Sequence, residues 1–261
     1  MDLKKRPFLL AEIESLTSSQ MTWIQAFVQQ FKMPHTFTRN VQSDLVTETV
    51  LENIGDLLRI HHAMSKRSLS KAPFEYAFEK ALQLSGMPAR LADSSTNPGY
   101  DMTVGPVRIS LKTEAARNTK ESHLHVSKWM ELGAGTWDPP NVQLPNFLHH
   151  MGGYDRILSL RCLMQTGSKY WYELVEIPHT LMLEVATGTM EKAQKTKQET
   201  SPWYCRVPDG LGGYKFSLYF DAGSERKLQV KGLQKAHCVV HASWRFESFQ
   251  LTPESVAGDE E

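Results

Sequence analysis

The chain has 261 residues, 41% of them apolar and 22% charged, which suits a sizeable soluble core in one large domain or two small ones. Its 29 basic and 29 acidic residues cancel, arguing against a strongly basic chromatin-type binder but leaving room for a local basic groove. No run approaches the roughly 20 apolar residues that span a bilayer. The charged start, Met1 to Arg6, does not suit a secretory leader. Cys162, Cys205 and Cys238 are widely spaced, supporting neither a disulfide nor a zinc framework, so a reducing cytoplasm and no membrane partner are expected.

In chain order, Trp23, Ile24, Phe27, Val28 and Phe31 form a helical stripe within 21–31, and a second stripe runs through 44–64. A third helix follows Pro73 and stops near Gly86, and a polar loop over 94–99 ends the helical region. Strand patterns then occupy 100–104, 107–114, 155–164, 169–177, 214–220, 226–231 and 237–246. Helices are expected near 122–132, 141–152 and 178–187, with a loop or exposed helix over 189–201. The expected class is α/β, with a mixed sheet flanked by helices and a helical N-terminal region. Residues 1–250 read as one domain: a helical part at 1–44, a catalytic core at 45–185 and a β-rich part at 186–250. Glu254, Asp259, Glu260 and Glu261 make 251–261 an acidic tail, expected to be flexible, and leave the rest of this neutral chain at +4.

The informative segment runs from Asn97 to Glu114. Gly105-Pro106 suits a two-residue hairpin turn, because Gly takes the positive φ and Pro the negative one. Val104 then faces Val107, and counting outward sets Asp101 opposite Ser110. Alternation puts Asp101, Arg108, Ser110, Lys112 and Glu114 on one face and Val107, Ile109, Leu111 and Thr113 on the other. A carboxylate beside an ammonium suits phosphodiester cleavage, in which Mg²⁺ takes oxygen ligands and a lysine stabilises developing charge. Asp101 and the Leu111 carbonyl are candidate ligands, and Lys112 the candidate ammonium. A hairpin with a merely solvated polar face fits the same spacing.

Two further features favour the chemical reading. Glu75 lies one step from the apolar face of the helix after Pro73, so it can overhang the sheet near Asp101. Residues 106–128 hold five bases against two acids, and 189–235 hold nine against five, flanking the hairpin with positive charge suited to a polyanion.

Pro73-Phe74-Glu75 opening a helix, Asp101 in a strand and Ser110-Leu111-Lys112 in the next resemble the PD-(D/E)XK nuclease pattern. The runs NPGYDMTV, VRISLKTEAA, HVSKWMELG, YELVEIPH, FSLYFDAGSERKLQVKGL and HCVVHASW resemble, in the same order, those of SmaI-type type II restriction endonucleases. The resemblance covers most of 45–246. It implies a Mg²⁺-dependent homodimer that cuts double-stranded DNA at the centre of CCCGGG to blunt ends, with a cognate DNA methyltransferase as functional partner. By motif position it implies Asp101 as the metal-binding carboxylate, Lys112 as the catalytic lysine and Glu75 as the helix acid. Ser110 stands where the family carries a second strand acid, and Tyr100 where it carries Pro. Either Glu75 or Glu114 can replace the missing carboxylate, Glu114 being the weaker choice at about 7 Å along the strand from Lys112.

G·C-rich sites favour arginine and lysine, which reach guanine O6 and N7 in the major groove. Arg226, Lys227 and Gln229 are therefore candidate base or phosphate contacts, and Arg117, Lys120, His125 and Lys128 candidate phosphate contacts. The histidine pairs at 61–62 and 149–150 lack partners at ligand spacing and do not read as metal sites. Two rival readings remain: a strand-nicking repair endonuclease of the MutH kind, and a DNA-binding module that keeps a nuclease fold without catalysis.

Overall fold

A computed structural model describes residues 6–94, 99–116, 118–194 and 199–249, with no side-chain description for 6–8. Arg117, most of the loop before Gly99 and the acidic tail lie outside the described residues.

The first third holds helices α1 (Arg6–Glu14), α2 (Ser18–Lys32), α3 (Glu48–Met64) and α4 (Lys71–Leu84), with strand β1 (His35–Arg39) between α2 and α3. Strands β2 (Ala89–Leu91), β3 (Met102–Val104), β4 (Val107–Glu114) and β5 (His123–Glu131) follow. Then come α5 (Leu144–Met151), β6 (Arg156–Thr166), β7 (Lys169–Glu176) and α6 (His179–Leu183). The last part contains β8 (Thr189–Lys192), β9 (Trp203–Pro208), β10 (Tyr214–Phe220), β11 (Lys227–Gln234) and β12 (Val239–Glu247).

The strands form a seven-stranded sheet, β1-β12-β7-β6-β4-β3-β2, and a five-stranded sheet, β5-β11-β10-β9-β8. Within the larger sheet β4 and β6 run parallel, and the other pairs are antiparallel. Alternation within β6 and β7 explains the layers. Leu158, Leu160, Tyr172 and Leu174 join α3 and α4 in one core, while Ile157 and Val175 join the smaller sheet, α5 and α6 in another. The larger sheet is therefore covered on both faces, an α/β arrangement of the kind expected.

Two expectations need correction. Residues 123–131 form a strand, not a helix. Leu124 and Val126 alternate inward, but β5 carries bulges against β11, and the apolar sequence resumes at Trp129 with a helix-like gap. Residues 189–192 form a strand, β8, paired with β9, rather than a loop or helix. Strands β1 and β2 are too short or too polar to be read from the sequence, and β9 and helix α1, though rich in apolar residues, are not among the expected elements either.

Between the two sheets the larger one is polar along β4 and β6. Arg161, fully buried, donates from Nε to Glu114 (2.7 Å) and from Nη2 to the carbonyls of Lys120 (2.6 Å) and His123 (2.7 Å), so it ties β4 to the start of β5. Removing one partner of a buried pair leaves the other uncompensated, so Arg161→Met is expected to lose about 3–5 kcal/mol in urea unfolding. Burial opposes ionisation of Glu176, but hydrogen bonds from His241 and Arg156 outweigh it and bring its pKa down to about 2. A carboxyl held below its unperturbed 4.5 contributes stability above that pH and loses it as pH falls towards 2. Glu176→Gln should therefore flatten the acid-side decline in thermal midpoint across that window, measured by calorimetry against pH.

Candidate active site

The hairpin forms in the expected register, with Val104 opposite Val107 and Met102 opposite Ile109. Gly105 takes φ +56°, the left-handed backbone that the turn requires. Asp101 lies one residue before β3, and its main chain is held on both sides: its N–H donates to the Ile109 carbonyl and its carbonyl accepts from Ala92 N–H, each at 2.9 Å. Its Oδ2 accepts from the Leu111 N–H (2.5 Å) and from the Ser110 hydroxyl (3.2 Å). In an extended strand a residue's N–H and C=O point to the same side, so the Leu111 carbonyl also lies on the Asp101 side of β4.

Beyond Arg108, whose half-exposed side chain pairs with Asp155 (2.8 Å), the polar face of β4 does not meet solvent. Ser110, Lys112 and Glu114 are 2%, 7% and 6% exposed. The Lys112 ammonium donates to the Trp129 carbonyl of β5 (3.3 Å) and lies 5.5 Å from the Trp129 ring centroid. Burial, with Lys71 nearby, pushes the Lys112 pKa down to about 8, although Asp101 and Glu75 favour its charge. Asp101 and Lys112 therefore act electrostatically on one another while their heads make no direct ion pair.

Helix α4 supplies the other side of the site. Phe74, Phe78, Ala81 and Leu82 bury its apolar face. One step round, Glu75 reaches the cluster: Lys71 Nζ bridges Asp101 Oδ1 (2.8 Å) and Glu75 Oε1 (3.4 Å). Burial and the Asp101 charge raise the Glu75 pKa against the pull of Lys71. Glu114, the alternative acid, is instead engaged by Arg161 and by the His125 N–H (3.0 Å). Among the described residues no cluster of three or more His, Cys, Asp or Glu converges on one point. The pair Asp101 and Glu75 nonetheless already shares one cation, the Lys71 ammonium. Two carboxylates and a peptide carbonyl are the hard oxygen donors that Mg²⁺ accepts when water and phosphate complete its shell.

Sequence reasoning missed three members of this neighbourhood. His150 on α5 is within electrostatic reach of both Lys112 and Asp101, and burial, then Lys112, lowers its pKa. Tyr154, buried, accepts from Trp129 Nε1 (2.9 Å) and braces the residue whose carbonyl meets Lys112. Lys71 had no motif to mark it. The doublet Gly152-Gly153 reads as a turn, but Gly153 does more: a Cβ there would lie 2.8 Å from Gly99 Cα, so only glycine lets the chain pass on its way to Asp101.

Among the described residues, the nucleic-acid candidates lie on or just before β5 and β11. Lys120 and Lys128 are exposed, Lys128 pairing with Glu131 (2.7 Å), and His125 is half-buried. Lys227 pairs with Glu225 (3.0 Å), Gln229 donates to Asp221 (3.3 Å), and Arg226 donates to the Gly135 carbonyl (2.7 Å) beside the Trp137 ring. A cavity lined by Gly99, His149, His150 and Gly153 shares Glu131 and Gly133 with the depression that Arg226 lines. The two depressions thus adjoin at Glu131 and Gly133, between Gly99 and Arg226. No described helix is long and apolar enough to cross a membrane.

Residues 9–246 match the family model SmaI, described as type II site-specific deoxyribonuclease. The chain is also 42% identical over 226 residues to the type II restriction enzyme SmaI of Serratia marcescens, covering 87% of this chain and 89% of that one. Displacing a reacting group by about 1 Å costs on the order of a hundredfold in rate. Gly153→Ala, which must move Gly99, is therefore expected to slow DNA cleavage by about that factor while far-UV circular dichroism stays unchanged.

Proposed function

The chain belongs to the SmaI family of type II site-specific deoxyribonucleases, and on that premise we propose that Asp101, Glu75 and Lys112 form its Mg²⁺-dependent hydrolytic centre. The substrate is double-stranded DNA carrying CCCGGG, cut at its centre to blunt ends with 5′-phosphates. The observation that carries this reading is the convergence of Asp101 and Glu75 on one cation position, beside a buried lysine on the strand that holds Asp101.

When bound, Mg²⁺ neutralises charge developing on the phosphate and acidifies a water. Asp101, fixed by Leu111 N–H and the Ser110 hydroxyl, would be the principal ligand, with Glu75 and the Leu111 carbonyl completing the protein's share. Ser110 thus orients the carboxylate rather than replacing an acid. Lys112, buried and held by the Trp129 carbonyl, would stabilise negative charge developing on the attacking water or the phosphate oxygens. Arg226, Lys227 and Gln229 contact bases or phosphates, and Arg117, Lys120, His125 and Lys128 follow the backbone.

In this reading residues 1–250 act as one endonuclease domain, and the protein works in the cytoplasm as a homodimer. Protein two-fold symmetry matches the palindrome and each subunit cuts one strand. A methyltransferase that modifies the same site protects host DNA. The test is digestion of a supercoiled plasmid containing one CCCGGG, with Mg²⁺, and sequencing of the ends. Linear product with blunt ends at the centre of the site is expected, and Asp101→Asn and Lys112→Met should each lower the rate by about a thousandfold. A product that stays nicked would favour a strand-nicking enzyme. Undiminished cleavage by either variant would remove that residue from the centre.

A further inference from the structure

Lys71 is placed against its local preference. It is the first residue of α4, where the helix dipole is positive, and the preceding Ser70 makes no side-chain cap. A cation there is disfavoured by the helix itself. Its ammonium nonetheless sits 2.8 Å from Asp101 and 3.4 Å from Glu75, the two acids assigned above to a divalent cation. A conflict between local preference and final position points to a role at the site.

Charge counting shows what that role requires. With Lys71 and Lys112 protonated, two ammonium groups face two carboxylates, and the acid pair is already compensated. A divalent ion entering between Asp101 and Glu75 would meet Lys71 at contact distance and be repelled. The Lys71 side chain is 47% exposed on a flexible four-carbon stem, so it can leave without unpacking α4. The DNA phosphates that bring the substrate to this site are the natural place for the released ammonium.

We propose that Lys71 is a resident counter-cation of the acid pair, which suppresses divalent-ion binding until DNA phosphate draws its ammonium away. This rests on the assignment of Asp101 and Glu75 to the metal. Lys71 is a positioning residue, not one that takes part in bond cleavage.

The measurement is binding of Mn²⁺ alone, without DNA, followed by electron paramagnetic resonance of the free ion. Wild-type protein should bind weakly, and Lys71→Met at least about tenfold more tightly, since removing an opposing charge at contact distance shifts ionic equilibria by that order. Lys71→Arg, which keeps the charge, should stay at the wild-type level. Lys71→Gln repeats the neutralisation should the methionine variant fail to fold. Equal Mn²⁺ affinity in wild type and the neutral variants would overturn the proposal while leaving the acid-pair assignment intact, provided Asp101→Asn weakens that binding. Mn²⁺ binding that persists undiminished in Lys71→Met/Asp101→Asn would place the ion elsewhere and overturn both.

Discussion

The carboxylate of Asp101 is where three separated segments of the chain meet. It receives the Leu111 N–H and Ser110 hydroxyl of β4 and the Lys71 ammonium of α4, while its own backbone is clamped between β2 and β4. None of these contacts survives a one-residue slip of the hairpin, because the side-chain alternation would turn Asp101 and Lys112 to the opposite face. Gly105 sets that register, and Gly153 lets the approaching chain come near enough to use it. The assembly of this cluster thus depends on a backbone constraint first and on side-chain identity second.

The second constraint is burial. A polar strand face ordinarily lies in water, yet β4 carries Ser110, Lys112 and Glu114 beneath the smaller sheet. Each has a defined partner: Asp101 for Ser110, the Trp129 carbonyl for Lys112, and Arg161 with the His125 amide for Glu114. A low-dielectric setting strengthens the action of a buried ammonium on nearby charge. The polar alternation along β4 therefore divides into a half at Ser110 and Lys112 that faces the Asp101 cluster and a half at Glu114 that is tied to Arg161.

Much of this was legible in the residues. Gly105-Pro106 and strict alternation set the register of Asp101, Ser110 and Lys112, and the stripe on α4 left Glu75 at the sheet's edge. What stayed hidden depended on distant segments. Covering β4 requires β5, whose bulge before Trp129 imitates helical spacing. Lys71 looks like any solvated lysine until Asp101, thirty residues on, comes beside it. His150 and Gly153 acquire meaning only when α5 packs on the segment leading to Asp101. Arg161, a residue no motif contains, is what engages Glu114 and leaves Glu75 as the acid beside Asp101.

One consequence follows from the way β5 is attached. It meets β4 at two points, through Trp129 at Lys112 and through His125 at Glu114, and it is bonded along its other edge to β11. Two fixed points prevent a rod from pivoting. The span from Lys112 to the side chains of Lys227 and Gln229 is consequently a dimension of the protein itself, a built-in ruler along the face where the proposed function lays the duplex.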